Sequence, residues 1–272
     1  MTGERKTPIA LTIAGSDSSG GAGIQADLKT FTALGVYGAS VLTAITAQNT
    51  QGVQDVLTLP PAIIAAQMAS VATDLAVAAI KTGMLADRET VETVVTGLGA
   101  FEGVPLVVDP VMVATSGDVL LAPEAVDAVR TLLFPLATVV TPNLHEAARL
   151  LEEAVATSHD EMEAQGRRLL SLGPNAVLMK GGHDGGSDAT DILVFEAGSL
   201  RFAAPRIETR HTHGTGCTLA AAMAARLAHG GSLPSAAKTA KDFVWKAIEA
   251  GRALSIGKGS GPVDHLHALR RN

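Results

Sequence analysis

With 272 residues, 47% of them hydrophobic, the chain is long enough to bury a large core, and this length is typical of one α/β domain. Its 27 acidic and 21 basic residues give a net charge of −6, and one Trp, one Tyr and six Phe offer few rings for base stacking, so we expect no nucleic-acid partner. The single cysteine excludes an internal disulfide framework and favours a reducing compartment.

The predicted elements begin after residues 1–8, a short polar segment that we expect to be flexible. With the six-residue apolar run that follows, they predict neither a signal peptide nor a membrane span, so we expect a cytoplasmic protein with no membrane partner. Residues 9–14 predict a strand buried on both faces, and the loop at 15–23 is rich in glycine but has neither Walker nor dinucleotide-binding spacing. A β-rich stretch at 40–49 and an edge strand at 53–57 come next.

The middle of the chain alternates helices and strands. Helices are predicted to start at Pro60-Pro61, after the cap Asp87, and near Pro123, and strands are predicted at 77–80, 106–108 and 137–140.

The second half continues the alternation. Ser158 and Glu161 have capping-box spacing for a helix ending near Leu172. Strands are predicted at 176–179, 191–195 and 200–204, and helices start near residue 144, behind the loop at 212–217 and near residue 235. This order predicts a single domain with a doubly wound, mainly parallel sheet.

Polar or glycine-rich groups follow four of the predicted strands. They are Gly15-Ser16-Asp17, Asp109, Asn143 with Glu146, and Lys180. Because the carboxyl ends of parallel strands meet at one edge of a sheet, and ligands bind beyond that edge, we expect these groups to lie close together.

Asn143 and Glu146 allow two interpretations. Being three apart at a helix start, they project from one face and, with Asp109, would suit Mg²⁺, which takes few protein ligands and keeps most of its waters. The same spacing is also that of a helix cap, which considered alone it favours.

The loop at 212–217 is predicted to open into a helix and to aim backbone N–H groups at an anion, although an ordinary turn before a buried helix has the same pattern. Lys180, followed by Gly181-Gly182, is either a solvated charge or a phosphate contact. His183, His211 and His213 are not spaced as a metal site and are interpreted as polar loop residues.

Cys217 lies at the predicted helix start, where a thiol has a lowered pKa, but no partner pair is identifiable and a small buried residue is the favoured interpretation. Met84 and Val111 each follow a strand and are either pocket wall or core. An anion loop, a Mg²⁺ group, a lysine and a glycine-rich loop at one sheet edge together indicate phosphoryl transfer from a nucleoside triphosphate.

Eight ordered motifs carry a resemblance to a known family. They are AGSD at 14–17, GGAGIQAD at 20–27, AQNT at 47–50, KTGM at 81–84, DPVM at 109–112, TPN at 141–143, KGGH at 180–183 and THGTGC at 212–217. Together they resemble the hydroxymethylpyrimidine and hydroxymethylpyrimidine phosphate kinases of thiamin biosynthesis, members of the ribokinase-like superfamily.

The resemblance implies a three-layer α/β/α fold, a homodimer and the use of MgATP, and it leaves open whether a monovalent cation takes part. It implies that the pyrimidine substrate is contacted by Asp27 and Gln48 in a pocket lined by Gly15, Ala22, Met84 and Val111. It assigns the magnesium and phosphate region to Asp109, Asn143 and Glu146, the ATP region to Lys180, Thr212, Gly214 and Lys241, and the catalytic anion hole to Gly214, Thr215, Gly216 and Cys217, with Lys180 beside it.

Two positions deserve comparison with the relatives. Ser18 stands where many of them have proline, which would alter the stiffness of the loop more than its chemistry. Sugar kinases of the superfamily have an aspartate base where this chain has Cys217. We expect the exchange to suit a second acceptor that is already anionic, while the first acceptor, an alcohol, would gain from a thiolate or from the anion hole alone.

Two rival functions stay open at this point. One is pyridoxal or pyridoxine kinase, whose substrate is also a hydroxymethyl-bearing aromatic N-heterocycle. The other is a non-catalytic pyrimidine sensor, which the presence of Asp109, Asn143, Glu146 and Lys180 disfavours.

Overall fold

The structure, a computed structural model, describes residues 7–113, 120–182 and 187–269. Within these ranges the strands are β1 Ile9–Asp17, β2 Tyr37–Asn49, β3 Gly52–Thr58, β4 Val77–Thr82, β5 Leu106–Val108, β6 Val139–Val140, β7 Ala176–Met179, β8 Asp188–Phe195 and β9 Gly198–Pro205. The helices are α1 Gly23–Ala33, α2 Pro61–Asp74, α3 Arg88–Leu98, α4 Pro123–Ala128, α5 Leu144–Leu151, α6 His159–Leu170, α7 Thr215–Ala228 and α8 Leu233–Gly251.

All of these strands belong to one sheet in the order β3-β2-β1-β4-β5-β6-β7-β8-β9. The central run from β2 to β7 is parallel, whereas β3, β8 and β9 pair antiparallel at the two ends. The mainly parallel sheet predicted from the sequence is therefore confirmed, and β3 is the edge strand that was expected.

Neighbouring residues of each strand point to opposite faces, so the apolar strands present hydrophobic side chains on both faces of the sheet. Helices cover both faces. Leu11, Ile80 and Val108 belong to a core shared with α2 to α6, and Ala10 and Val107 belong to a second core shared with α1, α7 and α8. The three-layer α/β/α fold is thus confirmed.

Helix α7 lies in the middle of the second layer. Its residues from Thr218 to Ala225 are buried, and the helix packs against β4, β5, α1 and α8. Alanine has the highest helix propensity and a side chain small enough for close packing on several sides. The alanine-rich composition therefore fixes α7, and with it the loop at 212–217, close to the carboxyl ends of the strands.

Two helix starts have the cap residues predicted from the sequence. Asp87 accepts a hydrogen bond from the backbone N–H of Thr90 at 2.8 Å. At α6, Ser158 accepts from the N–H of Glu161, and the Glu161 carboxylate accepts from the N–H and hydroxyl of Thr157. The predicted cap at Ser158 is confirmed.

Several boundaries differ from expectation. The strand predicted at 137–140 is reduced to Val139–Val140, because the N–H of Ala137 still bonds the carbonyl of Phe134 in the preceding turn. Helix α4 ends at Ala128 and the chain continues in irregular helical turns to Leu136.

His183 and most of the expected flexible segment 1–8 lie outside the described residues. No helix in the described ranges is long and apolar enough to cross a membrane.

Candidate active site

The loop before α7 has the geometry of an anion site. Gly214, the residue before the helix, has a φ of 80°, in the left-handed region that favours glycine. A Cβ on Gly214 would lie 1.9 Å from the carbonyl oxygen of Gly21, so the two glycine-rich loops touch through their backbones. Thr215 donates from its N–H and hydroxyl to the carbonyl of Thr212, which shapes the turn. The first N–H groups of α7 are then left without helical partners and point out of the helix start.

Asp17 organises the glycine-rich loop that follows β1. Its carboxylate accepts from the N–H and hydroxyl of Ser19, from the N–H groups of Gly21 and Ala22, and contacts Nε2 of His213 at 2.8 Å. Burial alone would raise the pKa of Asp17, but the hydrogen bonds from His213, Ser19 and Ala22 hold it well below its ordinary value. The Asp17 carboxylate therefore links the two glycine-rich loops.

His213, interpreted from the sequence as a polar loop residue, contacts Asp17 in the structure. Its Nε2 lies against Asp17, and a Cβ on Gly21 would lie 2.3 Å from the His213 ring. The one sign of this contact in the sequence is Asp17, a polar residue at the end of an apolar strand, and its position does not indicate which residue it contacts.

A buried ion pair lies beneath this region. Lys81 and Asp27 both have 0% exposure, and Nζ of Lys81 is 2.8 and 3.0 Å from the two Asp27 oxygens. Thr12 also donates to Asp27, at 2.6 Å. Burial alone would lower the pKa of Lys81, but Asp27 holds it above its ordinary value, so the lysine stays charged. Asp27, predicted to contact the pyrimidine, has no exposed surface and both its oxygens already have partners, so in this geometry it supports the site from below.

Lys180 lies between the carboxylate of Asp109, directly after β5, and that of Glu146, in the first turn of α5. Its Nζ is 2.9 Å from Asp109 and 3.7 Å from Glu146. A Cβ on Gly216 would lie 3.4 Å from this Nζ and 3.7 Å from Oδ2 of Asp109, so the cluster borders the anion loop directly. Burial alone would lower the pKa of Lys180, but the two carboxylates hold it above its ordinary value. Burial raises the pKa of Glu146 to about 7, although Lys180 acts in the opposite direction. The predicted meeting of strand ends is present.

Asn143 and Glu146 form a complete capping box at α5. The Asn143 side chain accepts from the N–H of Glu146 at 2.8 Å, and the Glu146 carboxylate accepts from the N–H of Asn143 at 2.7 Å. Of the two interpretations left open by the sequence, capping is thus the one that the structure shows for Asn143. A role in binding metal stays a prediction.

The acidic groups fit a loosely held divalent ion better than an all-protein metal site. No group of three or more His, Cys, Asp or Glu side chains suited to a metal occurs within residues 7–113, 120–182 and 187–269. Asp109 and Glu146 supply two carboxylates next to the anion loop, which suits Mg²⁺ held largely by water and substrate phosphates. These two residues would hold the ion when nucleotide is bound.

Two of the predicted pyrimidine-pocket residues, Gly15 and Met84, are neighbours, and a third borders the anion loop. A Cβ on Gly15 would lie 3.2 Å from the sulfur of Met84, and Ala22 borders Gly214. Val111 is half-buried directly beyond Asp109. A cavity of about 380 Å³ is lined by residues 48–52, which include the predicted Gln48, and by His213 and residues 258–260, but not by Gly15, Ala22, Met84 or Val111.

Lys241, predicted to lie near the nucleotide, forms an ion pair with Asp191. Its Nζ is 3.0 Å from Oδ2 of Asp191, whose other oxygen accepts from the N–H of Gly181 at 3.0 Å. A Cβ on Gly181 would lie 1.9 Å from the carbonyl oxygen of Thr190, so this residue must be small. Lys241 therefore supports the backbone that follows Lys180, and its contact with the nucleotide stays a prediction.

Cys217 lies at the start of α7 with part of its surface open. Burial raises the pKa of its thiol to about 11, although Lys81 and an N–H from Gly23 act in the opposite direction. The lowered pKa expected at a helix start is therefore wrong, because loss of hydration outweighs the helix end. The thiol is neutral at physiological pH.

Comparisons with known proteins agree with this geometry. The family model described as phosphomethylpyrimidine kinase matches residues 17–264. The chain is 57% identical over 262 residues to the hydroxymethylpyrimidine/phosphomethylpyrimidine kinase of Rhizobium meliloti (strain 1021), covering 96% of this chain and 98% of the relative.

Two solved structures are also similar. The ADP complex of Bacillus subtilis pyridoxal kinase has a TM-score of 0.89 at 38% identity, covering 98% of this chain and 100% of that one. The phosphomethylpyrimidine kinase of Clostridium difficile 630 has a TM-score of 0.78 at 44% identity, covering 89% of this chain and 100% of that one. The extent of the family match and the identity to its members establish that the chain belongs to the phosphomethylpyrimidine kinase family.

Proposed function

We propose that this protein transfers the terminal phosphoryl group of ATP to the hydroxymethyl oxygen of 4-amino-5-hydroxymethyl-2-methylpyrimidine, and then a second one to the resulting monophosphate. In each step an acceptor oxygen bonds to phosphorus while the bond to the ADP oxygen breaks, and in the first step the hydroxyl proton of the alcohol passes to solvent water. The observation that carries the proposal is the approach of Lys180 and Asp109 to Gly216 in the anion loop. A cation, a carboxylate and a helix start then face one point, as phosphoryl transfer requires.

Each part of the cluster has a distinct task in this proposal. Lys180 contacts the phosphate oxygens of ATP, and the N–H groups of Gly216 and Cys217 stabilise the charge that develops on the transferred phosphoryl group. Thr212 and Gly214 shape the loop, and Lys241 holds the Lys180 segment through Asp191. Little covalent chemistry is asked of the protein, so positioning supplies most of the rate.

Mg²⁺ is proposed as the ion that accompanies ATP. When bound, it would neutralise charge on the phosphates that face Asp109 and Glu146. Lys180 already lies between these carboxylates, so the ion and the lysine would divide their charge.

The acceptor is proposed to lie beside the glycine-rich loop. Gly15 and Met84 would form one wall, Ala22 and Val111 the other, and Gln48 would supply an amide for the ring nitrogens and the amino group. Asp27 keeps its place below the floor, bound to Lys81.

Product analysis tests the proposal directly. The protein is incubated with ATP, Mg²⁺ and the pyrimidine alcohol, and the monophosphate and then the diphosphate are followed by chromatography. Lys180→Ala should lower kcat/KM by at least about 100-fold, because a desolvated charge at the transferred group is lost. Lys246→Ala, at an exposed lysine of α8, is the matched control. Absence of diphosphate with the unaltered protein would contradict the two-step proposal.

Pyridoxal is a second candidate acceptor, favoured by the similarity to Bacillus subtilis pyridoxal kinase. Turnover of pyridoxal is measured beside that of the pyrimidine alcohol and its monophosphate. A kcat/KM that is higher for pyridoxal would reverse the assignment. Pyrimidine binding without any ATP turnover would instead support the non-catalytic sensor.

We further propose a cytoplasmic homodimer that buries the apolar edge of the sheet. Ile45 of β2 and Leu57 of β3 are cross-strand partners, 45% and 62% exposed. An exposed apolar pair at a sheet edge is a typical contact surface. Light scattering should give twice the chain mass, and Leu57→Glu should shift it towards the monomer, whereas Leu200→Glu at the opposite edge strand should not. A monomer at micromolar concentration would refute the dimer.

A further inference from the structure

Gln48 lies where β2 continues past the end of β1. The last paired residue of β1 is Asp17, opposite Thr46 of β2, so Gln48 is two positions beyond the ladder. On its other side Gln48 is the partner of Val53 of β3, just after an irregularity in the register. On the β1 side its backbone N–H and C=O therefore have no strand to bond with.

The hydroxyl of Ser18 satisfies both of these backbone groups. It donates to the carbonyl of Gln48 at 2.8 Å and accepts from the N–H of Gln48 at 2.9 Å. One hydroxyl thus replaces the missing strand partner, because it can donate once and accept at the same time. Ser18 is exposed, so it contributes nothing to the core.

The two hydrogen bonds also connect the loop to the recognition side chain. Ser18 directly follows Asp17, which holds the glycine-rich loop through its hydrogen bonds. The side-chain oxygen of Gln48 lies 3.1 Å from the Thr46 hydroxyl, which also donates to the carbonyl of Ser16 at 2.8 Å, and Gln48 lines the 380 Å³ cavity. The backbone of Gln48 is therefore held by Ser18, whereas its side-chain oxygen shares one hydroxyl proton with Ser16.

We infer that Ser18 is a positioning residue for recognition of the pyrimidine, acting by holding the backbone of Gln48 so that its amide faces the substrate. This inference rests on the proposed function and adds a determinant of affinity to it. Ser18 itself touches neither the reacting atoms nor the nucleotide in this assignment. Its loss should therefore weaken binding of the pyrimidine and leave the phosphoryl-transfer step intact.

Ser18→Ala tests the inference, and Ser18→Thr keeps the hydroxyl. For Ser18→Ala we expect KM for the pyrimidine alcohol to rise about 3- to 10-fold, with kcat and KM for ATP within about twofold of the unaltered protein. Ser18→Thr should restore KM. Ser171→Ala removes another exposed serine hydroxyl, one that donates to the carbonyl of Arg168 outside the site, and should change nothing.

Two measurements without turnover complete the test. Calorimetry with the pyrimidine alone should show the same loss of affinity, and hydrogen exchange should show faster exchange of the Gln48 amide in Ser18→Ala. Unchanged KM and affinity would overturn the inference. So would a parallel decrease of kcat, ATP affinity and melting temperature, because that would indicate a merely structural role.

The failure of the proposed function is distinguishable from the failure of this inference. An unaltered protein that neither binds nor phosphorylates the pyrimidine overturns both. An unaltered protein that does so, with Ser18→Ala indistinguishable from it, overturns the inference alone.

Discussion

Cys217 is the residue that we propose to face the acceptor. Burial raises the pKa of its thiol to about 11, so this group is neutral. A neutral thiol does not repel the phosphate of the second acceptor, whereas a carboxylate at this place would. The raised pKa does not support activation of the first acceptor by a thiolate, so in the proposed mechanism the anion loop is the main source of stabilisation for both steps.

We therefore expect Cys217→Asp to slow the second phosphorylation by at least about tenfold relative to the first, since two like charges meet in a poorly hydrated site. Cys217→Ala should slow both steps to a similar extent and by less than about tenfold, because no ionised base is lost. The steps are measured separately, starting from the alcohol and from the monophosphate. Equal rates of both steps in Cys217→Asp would contradict the charge argument.

Asp17 gives a pH-dependent contribution to stability. Its pKa is lower in the folded protein than the ordinary value of about 3.9, so its contribution is fully present above that value and is lost as pH falls below it. Asp17→Asn should lower the free energy of unfolding at pH 7 by at least about 2 kcal/mol, because several hydrogen bonds to a charged acceptor are weakened.

Denaturant titrations from pH 7 to pH 3 check this, with exposed Asp74→Asn as control. The difference between the unaltered protein and Asp17→Asn should shrink below about pH 4. A difference that stays constant over this range would show that the ionised carboxylate is not the cause.

At the residue scale, the sequence predicted the groups that share a structural rule. Asp109, Glu146 and Lys180 follow strands, so one rule about strand ends brings them together. The contacts of His213 with Asp17, 196 positions apart, and of Lys81 with Asp27, 54 apart, follow no such rule. They depend on how two loops and two layers pack, which periodicity does not encode.

Among the elements, α5 shows how one sequence pattern can be a cap at the edge of an active site. Asn143 and Glu146 hydrogen-bond each other's backbones, and Glu146 also approaches Lys180. The start of α5 is thus stabilised by the same carboxylate that approaches Lys180. The cap was predictable from spacing, and its contact with Lys180 required the sheet order.

Asn143→Ala separates capping from metal binding. If capping is its task, the variant should lose about 1 kcal/mol of stability, as Ser158→Ala at α6 should, while the Mg²⁺ concentration for half-maximal activity stays unchanged. Asn143→Asp should keep the cap. Thermal unfolding and Mg²⁺ titrations of activity measure both. An increase of several-fold in the Mg²⁺ requirement of Asn143→Ala alone would restore its role as a ligand.

The type of each helix and strand was predicted better than its boundaries. Helix α2 begins at Pro61, as the two prolines predicted, and ends at Asp74. The strand before Thr141 is only two residues long, because the preceding turn still uses the backbone of Ala137. Such boundaries depend on tertiary hydrogen bonds that local propensity does not contain.

For the whole molecule, the alternation of elements predicted the fold class, and the strand order could not be obtained from it. Strand β1 lies between β2 and β4 in the sheet. The glycine-rich loop that follows β1 therefore lies among other strand ends and not at an outer strand. The single-domain organisation stays a prediction. Lys81 of β4 and Asp27 of α1 then join the sheet to its helical layer through a fully buried ion pair.

Breaking this pair should be costly. Lys81→Met leaves the Asp27 charge buried without a partner and should lower the free energy of unfolding by about 3–5 kcal/mol. The double variant with Asp27→Asn should recover most of this loss, since no buried charge is left. Chemical denaturation measures both variants. Equal instability of the single and double variants would show that the packing of the side chains, and not the charge, is responsible.

The contact between Gly21 and Gly214 limits how this site can be altered by selection or design. A methyl group at Gly214 would meet the carbonyl oxygen of Gly21 at 1.9 Å, and neither backbone has a flexible part that could move aside. At Gly15 the nearest atom is the Met84 sulfur at 3.2 Å, on a side chain that can adapt. In a library of variants, substitutions at Gly15 and Met84 are therefore expected to change which acceptor is used. Gly21 and Gly214 should stay invariant in the variants that remain active.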